Sequence, residues 1–136
     1  MRKGLVCLAL AFCVCRTAVA VARARDLTIE ERVTAQKAIE QVYWSHRTWP
    51  RENPQPKPAL AAVMSDSAIR AKVEDYLAKS AALEAIWASP IRSFELQAEM
   101  ERMAKQTRNP EVLGELFLAL RDDPAVIGEC LARRHM

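Results

Sequence analysis

The sequence predicts an all-α protein: an irregular bundle of four to five helices, crossed by a proline-rich strap and preceded by a signal peptide. Three observations carry that prediction. Beyond the leader, apolar residues recur at spacings of three and four, the period of one helix face. Helix-start signals punctuate the chain at Thr28-Ile29-Glu30-Glu31, Asn109-Pro110 and Asp123-Pro124. No stretch alternates polar and apolar residues for long enough to make a strand.

The chain opens on a secretory leader, residues 1–22. Arg2 and Lys3 form its charged start, and Gly4 to Cys15 is an unbroken apolar run. Small residues follow, and both Ala18-Val19-Ala20 and Ala20-Val21-Ala22 match the A-x-A cleavage pattern. As a helix the run rises about 18 Å, short of a hydrocarbon core of about 30 Å. A membrane association is therefore expected only if the leader stays uncleaved. Removing it also removes Arg2, Lys3 and Arg16, and the 17 remaining basic residues balance the 17 acidic ones. A neutral chain offers no electrostatic footprint for nucleic acid. The expected location is outside the cytoplasm, periplasmic or extracellular. Cys7, Cys13 and Cys15 leave with the leader, so Cys130 alone remains and no internal disulfide is possible. It sits on an apolar helical face and reads as a buried thiol.

The first helix of the mature chain starts at the Thr28 capping box and runs to about Arg47. Its stripe is Ala35, Ile39, Val42, Tyr43 and His46, with Gln36 and Glu40 intruding. His46 has no second ligand in register and reads as a hydrogen-bonded, half-buried side chain. The helix ends in an aromatic knot, Tyr43-Trp44-Ser45-His46-Arg47-Thr48-Trp49-Pro50. Pro50, Pro54, Pro56 and Pro58 then impose an extended strap, for which Trp44 or Trp49 is the expected anchor. Such a strap could itself dock in an aromatic groove; an ordered connector is the reading adopted.

A helical turn or two over Ala59 to Met64 precedes the second long helix. Ser65 or Asp66 caps it, and it runs to about Ala88, where Ser89-Pro90 ends it. Its face of Ile69, Val73, Tyr76, Leu77, Ser80, Leu83 and Trp87 is the most regular in the chain and is expected to be core. Asp75 and Lys79 face away as a supporting i,i+4 pair. Ser93 is the expected cap of a third helix, Phe94 to about Thr107, with Leu96, Met100 and Met103 inward. The two methionines either fill core gaps or line an adaptable peptide-binding surface. A fourth helix from Pro110 buries Leu113, Leu116, Phe117 and Leu120 and leaves Leu118 off that face. The fifth, from Pro124, offers Val126, Ile127, Cys130 and Leu131. Gly114 and Gly128 sit inside these two helices, where each costs about 1 kcal/mol against alanine, and are expected to mark close helix crossings.

Several stretches resemble the N-terminal helical region of SurA-type, parvulin-associated chaperones, in the trigger factor/SurA peptide-binding superfamily. They are Pro90-Ile91, Leu96-Gln97-Ala98-Glu99-Met100-Glu101-Arg102-Met103-Ala104, Asn109-Pro110-Glu111-Val112-Leu113 and Leu116-Phe117-x-Ala119-Leu120. Asp123-Pro124, Ile127-x-Glu129-Cys130-Leu131-Ala132-Arg133 and the aromatic knot are similar to secreted bacterial proteins carrying such a region. The resemblance covers Leu27 to Arg133 and implies one helical domain, residues 27–136, that holds extended or unfolded polypeptide. Two departures matter. A parvulin domain is absent, so no prolyl isomerase activity is implied. Chains of this group also continue past the point where this one stops, so a C-terminally truncated domain, or the N-terminal interaction module of a larger secreted protein, is the alternative.

The residues expected to form a peptide-binding groove are Phe94, Met100, Met103 and Leu118, with Tyr43, Trp44, Trp49 and Trp87 as structural anchors. No enzymatic activity is expected. The sequence has no H-E-x-x-H, G-x-S-x-G, glycine-rich phosphate loop or, in the mature chain, Cys-x-x-Cys. No cofactor or metal is expected either. Glu30-Glu31 and Asp122-Asp123 lie at helix starts, where caps and the helix dipole account for them.

Overall fold

The computed structural model describes residues 26–136, and the expected leader lies outside the described residues. Among them are six α-helices and one turn of 3-10 helix, with no strand. The helices are α1 (Ile29–His46), α2 (Leu60–Val63), α3 (Asp66–Trp87), α4 (Ser93–Gln106), α5 (Pro110–Ala119) and α6 (Pro124–Cys130); the 3-10 turn is Ala132–His135.

The start signals act as the sequence predicts. Thr28 Oγ1 accepts from the Glu31 N–H at 3.2 Å, and the Glu31 carboxylate accepts from the Thr28 N–H at 2.8 Å. Asn109 and Asp123 cap α5 and α6, each with proline in the first turn. Ser65, rather than Asp66, caps α3 by accepting from the Ala68 N–H. One expectation is corrected: Ser93 is the first residue of α4 and not its cap. There the Glu95 carboxylate reaches back to the Arg92 N–H at 2.7 Å. A carboxylate is a stronger acceptor than a serine hydroxyl for an orphan amide near the positive helix end.

The bundle is organised around α1, which packs against α2, α3, α5 and α6, while α4 reaches the body through α6 and the 3-10 turn. The main core cluster gathers Leu27, Ala35, Ile39, Leu116, Leu120, Ile127, Cys130 and Leu131. Burying one such aliphatic side chain contributes about 1.5–3 kcal/mol. Gln36 is drawn inside with them, its amide donating to Glu40 at 2.6 Å. The α6 backbone comes close to α4 at Gly128, where an added Cβ would sit 3.5 Å from Leu96 Cβ. The crossing expected at Gly114 is not there: that glycine is exposed, with open space beside it.

Between α5 and α6 the chain reverses through two consecutive left-handed residues, Arg121 (φ 61°) and Asp122 (φ 51°). The reversal is closed by the Asp122 N–H donating to the Phe117 carbonyl at 2.9 Å. It returns α6 over the core. The last turn of α1 outruns that core. Tyr43 is 45% exposed and His46 bonds Glu115 of α5 at 2.8 Å from an exposed position, so the inward stripe stops at half-buried Val42.

Candidate functional site

Two aromatic helix ends stand out, and they are built differently. At the end of α1 the strap folds back on the helix. Trp44 Nε1 donates to the Pro58 carbonyl at 3.0 Å, and Trp49 Nε1 donates to the Gln55 carbonyl at 3.0 Å. The two indoles meet edge to face, with ring centroids 6.4 Å apart. Lys57 completes the closure. Its ammonium donates to the carbonyls of Trp44, Ser45 (3.2 Å) and Arg47 (2.7 Å), and lies 5.1 Å from the centre of the Trp44 ring. A helix ends with unpaired carbonyls and partial negative charge, so an ammonium answers both. Trp44 therefore anchors the strap to α1. Trp49 holds the strap to itself and stays 37% exposed, so it is not the buried clamp on the helical body that the sequence allowed.

The end of α3 has no such cover. The stripe begins as expected, with Ile69 and Val73 buried and Tyr76, Leu77 and Ser80 half-buried. Leu83 is then 57% exposed, Ile86 76% and Trp87 75%. The expectation that Leu83 and Trp87 are core, and Trp87 an anchor, is corrected. The cause is length: a helix of 22 residues extends about 33 Å, and α3 outruns the elements it packs against. Ala88 stops it in a left-handed conformation (φ 49°), and the connection runs on to α4. Phe94, in the first turn of α4, is 63% exposed with Arg92 over its ring at 5.4 Å.

The four residues expected to share a peptide groove fall into two kinds. Phe94 and Leu118 are exposed, at 63% and 68%. Met100 and Met103 are half-buried and pack against the core cluster, where they fill space between α4 and its neighbours. Ile86 is the contributor that sequence reasoning missed. It falls beside the regular stripe rather than on it, and only its run with Leu83 and Trp87 at i, i+3 and i+4 could have marked it.

The charged groups nearby are committed within the fold. Glu84 accepts from Arg133 at 2.8 Å, and Glu129 receives Arg32 at 3.2 Å. Arg133 Nε also lies 3.3 Å from Glu129, a charge contact without hydrogen-bond alignment. These side chains line a small crevice of ≈ 160 Å³ that ties α3 to the C-terminal turn. Arg134 stacks over Tyr76 at 4.8 Å. A wider cleft of ≈ 480 Å³ opens between the first turns of α1 and the α5–α6 reversal, floored by Ala35, Ala38 and Leu120. Glu30 at its edge is held by Arg70 at 2.5 and 2.7 Å. Cys130 is buried, and burial pushes its thiol up to about 11. Such a thiol is a poor nucleophile at neutral pH.

Among the described residues, no three His, Cys, Asp or Glu side chains are placed to hold a metal ion, and no helix is long and apolar enough to cross a membrane. Compared with known proteins, the chain matches no family model, no curated protein and no solved structure.

Proposed function

We propose that this chain is a non-catalytic helical module that binds extended or unfolded polypeptide, in the manner of a chaperone. The observation that carries the reading is the bare end of α3, where Leu83, Ile86 and Trp87 stand 57–76% exposed on one side of the helix. Large apolar side chains grouped on a surface mark contact sites more often than isolated ones do. Trp is enriched among residues that dominate binding energy. The SurA-like pattern of the sequence and its secretory leader agree with a module exported to meet unfolded chains.

The chemistry sets limits on such binding. The charges beside the patch are already paired, so affinity rests on apolar contact and changes little with salt. A shallow surface must also offset the ordering of the peptide, which limits affinity to the micromolar range, about −8 kcal/mol. Titrating unstructured, aromatic-rich peptides, such as segments of unfolded outer-membrane proteins, tests the reading by fluorescence or calorimetry. Saturable binding that weakens at least about tenfold in Trp87→Glu is expected, equal to about 1.4 kcal/mol. Absence of binding at hundreds of micromolar would sink it. Prolyl isomerisation should not be accelerated by the same preparation.

A further inference from the structure

The small crevice between α3 and the C-terminal turn is lined by charges that do not balance. Arg32 of α1, Glu129 of α6 and Arg133 of the turn meet there against Leu77, Ser80 and Glu84 of α3. Both carboxylates are spent. Glu84 accepts from Arg133 at 2.8 Å, and one oxygen of Glu129, Oε2, is divided between Arg32 at 3.2 Å and Arg133 at 3.3 Å. Charge-assisted contacts usually close to about 2.7–2.9 Å. The two guanidiniums are therefore underserved, and the buried Arg133 Nε finds no aligned acceptor. Arg134, the next residue, has a buried Nε in the same condition and rests on the Tyr76 ring rather than on a carboxylate. Arg32, Arg133 and Arg134 thus gather around Glu84 and Glu129, with one positive charge left over. Such an imbalance is costly where side chains are shielded from water.

We infer that this crevice is a carboxylate-binding site, filled by a carboxylate of the bound polypeptide, from a chain end or from an Asp or Glu side chain. The inference rests on the reading that the chain receives polypeptide at the end of α3, and it adds the chemical class of that polypeptide. A crevice of ≈ 160 Å³ admits a carboxyl group with a short stem, and is well below the roughly 300 Å³ of a pocket for a whole small molecule. Guanidinium forks match a carboxylate with paired N–H bonds. Ser80 adds a hydroxyl donor, and Leu77 gives the stem an apolar wall.

Position joins the crevice to the apolar residues beyond it. Ser80 and Leu83, and Glu84 and Trp87, stand three residues apart and are neighbours on the surface of α3. A helix turn rises about 5.4 Å and an extended chain advances about 3.3 Å per residue. A carboxylate in the crevice therefore falls about two residues from an aromatic side chain laid on Trp87. Arg32 and Arg133 are only 14–15% exposed, so salt screens this contact little.

Calorimetric titration of the full chain with one aromatic-rich peptide in several forms tests the inference: the free C-terminal acid, the C-terminal amide, and the amide with an Asp beside its end. A form that carries a carboxylate should bind at least about tenfold tighter than the plain amide. Tightening by the free acid alone identifies a chain end as the source, and tightening by the Asp form identifies a side chain. Arg133→Gln should bring every form to within about twofold of the amide. Arg70→Gln removes an exposed arginine paired with Glu30 and should keep the difference. Circular dichroism checks the helices; should Arg133→Gln lose them, Arg32→Lys, which keeps the charge without the fork, is read in its place. The inference is overturned by a difference that survives the crevice variant or that vanishes equally in Arg70→Gln. Equal, saturable binding of all forms removes it and leaves the proposed function standing. No binding of any form, while about 100 mM acetate still shifts the backbone amide signals of Glu84 and Arg133, does the reverse. Silence in both titrations removes both.

Discussion

The two long helices end alike in sequence and differently in structure. Helix α1 carries Tyr43-Trp44 in its last turn with Pro50 shortly after, and α3 finishes on Ile86-Trp87 with Pro90 shortly after. At the first end, the strap returns from Pro50 to Pro58, and Lys57 caps three carbonyls while Trp44 receives the strap. At the second, the five residues from Ala88 to Arg92 lead directly into α4. They are too few to turn back over the helix. The aromatic residues are not what makes an end closed or open; the reach and chemistry of the connection behind them decide it.

That comparison can be broken first where α3 is covered. Ile69 is 1% exposed, and Ile69→Ala should cost about 2–5 kcal/mol in urea unfolding, the range for a truncated core aliphatic. A loss under about 1 kcal/mol would mean that the first half of α3 is no better packed than its end.

Raising the pH loosens the covered side without touching the bare one. Burial raises Cys130 to about 11 and moves Tyr76 upward as well. A thiol whose folded value exceeds its unfolded value near 9 holds its proton longer when folded. Its contribution is complete below pH 9 and is lost as pH climbs through about 11, roughly 2–3 kcal/mol from Cys130. Alkylation should follow the same logic: at pH 8 Cys130 should react with iodoacetamide only as fast as the chain opens, and promptly in urea. Immediate native reaction would contradict its burial.

The closed end is tested by its staples. Trp44→Ala should cost about 2–3 kcal/mol, because it removes a half-buried indole, its bond to Pro58 and the face under Lys57. Lys57→Met keeps the stem and removes the charge, and should cost about 1–2 kcal/mol. Trp49→Ala, at an edge already 37% exposed, should cost about 1 kcal/mol. Urea midpoints in this order would support the strap as described; Trp49 above Trp44 would reverse their roles.

The smallest stability effect belongs to the open end. Trp87→Ala should change unfolding by no more than about 0.5 kcal/mol while weakening peptide binding. A large loss of stability would show that Trp87 is packed after all.

What could be read in the sequence was local. The Thr28 capping box and the Asn109-Pro110 and Asp123-Pro124 starts bring their partners within three residues, so the signal and its answer lie together. The Ile69-to-Ser80 stripe was legible for the same reason. The exposure of Leu83 and Trp87 was not, because periodicity reports which side of a helix is apolar and not how far its neighbours extend. Lys57 was overlooked because an ammonium reveals its acceptors only once the strap has folded back across 13 residues. Met100 and Met103 read as core filler ahead of a binding surface, and their half-buried place was decided by how α4 sits on α6 and the C-terminal turn.

The reversal at Arg121 and Asp122 has a consequence for what holds the α5–α6 corner in place. Neither residue is glycine, and each held at positive φ costs on the order of 1–2 kcal/mol. The bond from the Asp122 N–H to the Phe117 carbonyl offsets part of that cost locally, and the burial of Ile127, Cys130 and Leu131 beside Leu27, Ile39 and Leu120 offsets the rest. The corner's strain is therefore shared between a local hydrogen bond and the docking of α6, so truncating Ile127 should loosen the reversal as well as the core.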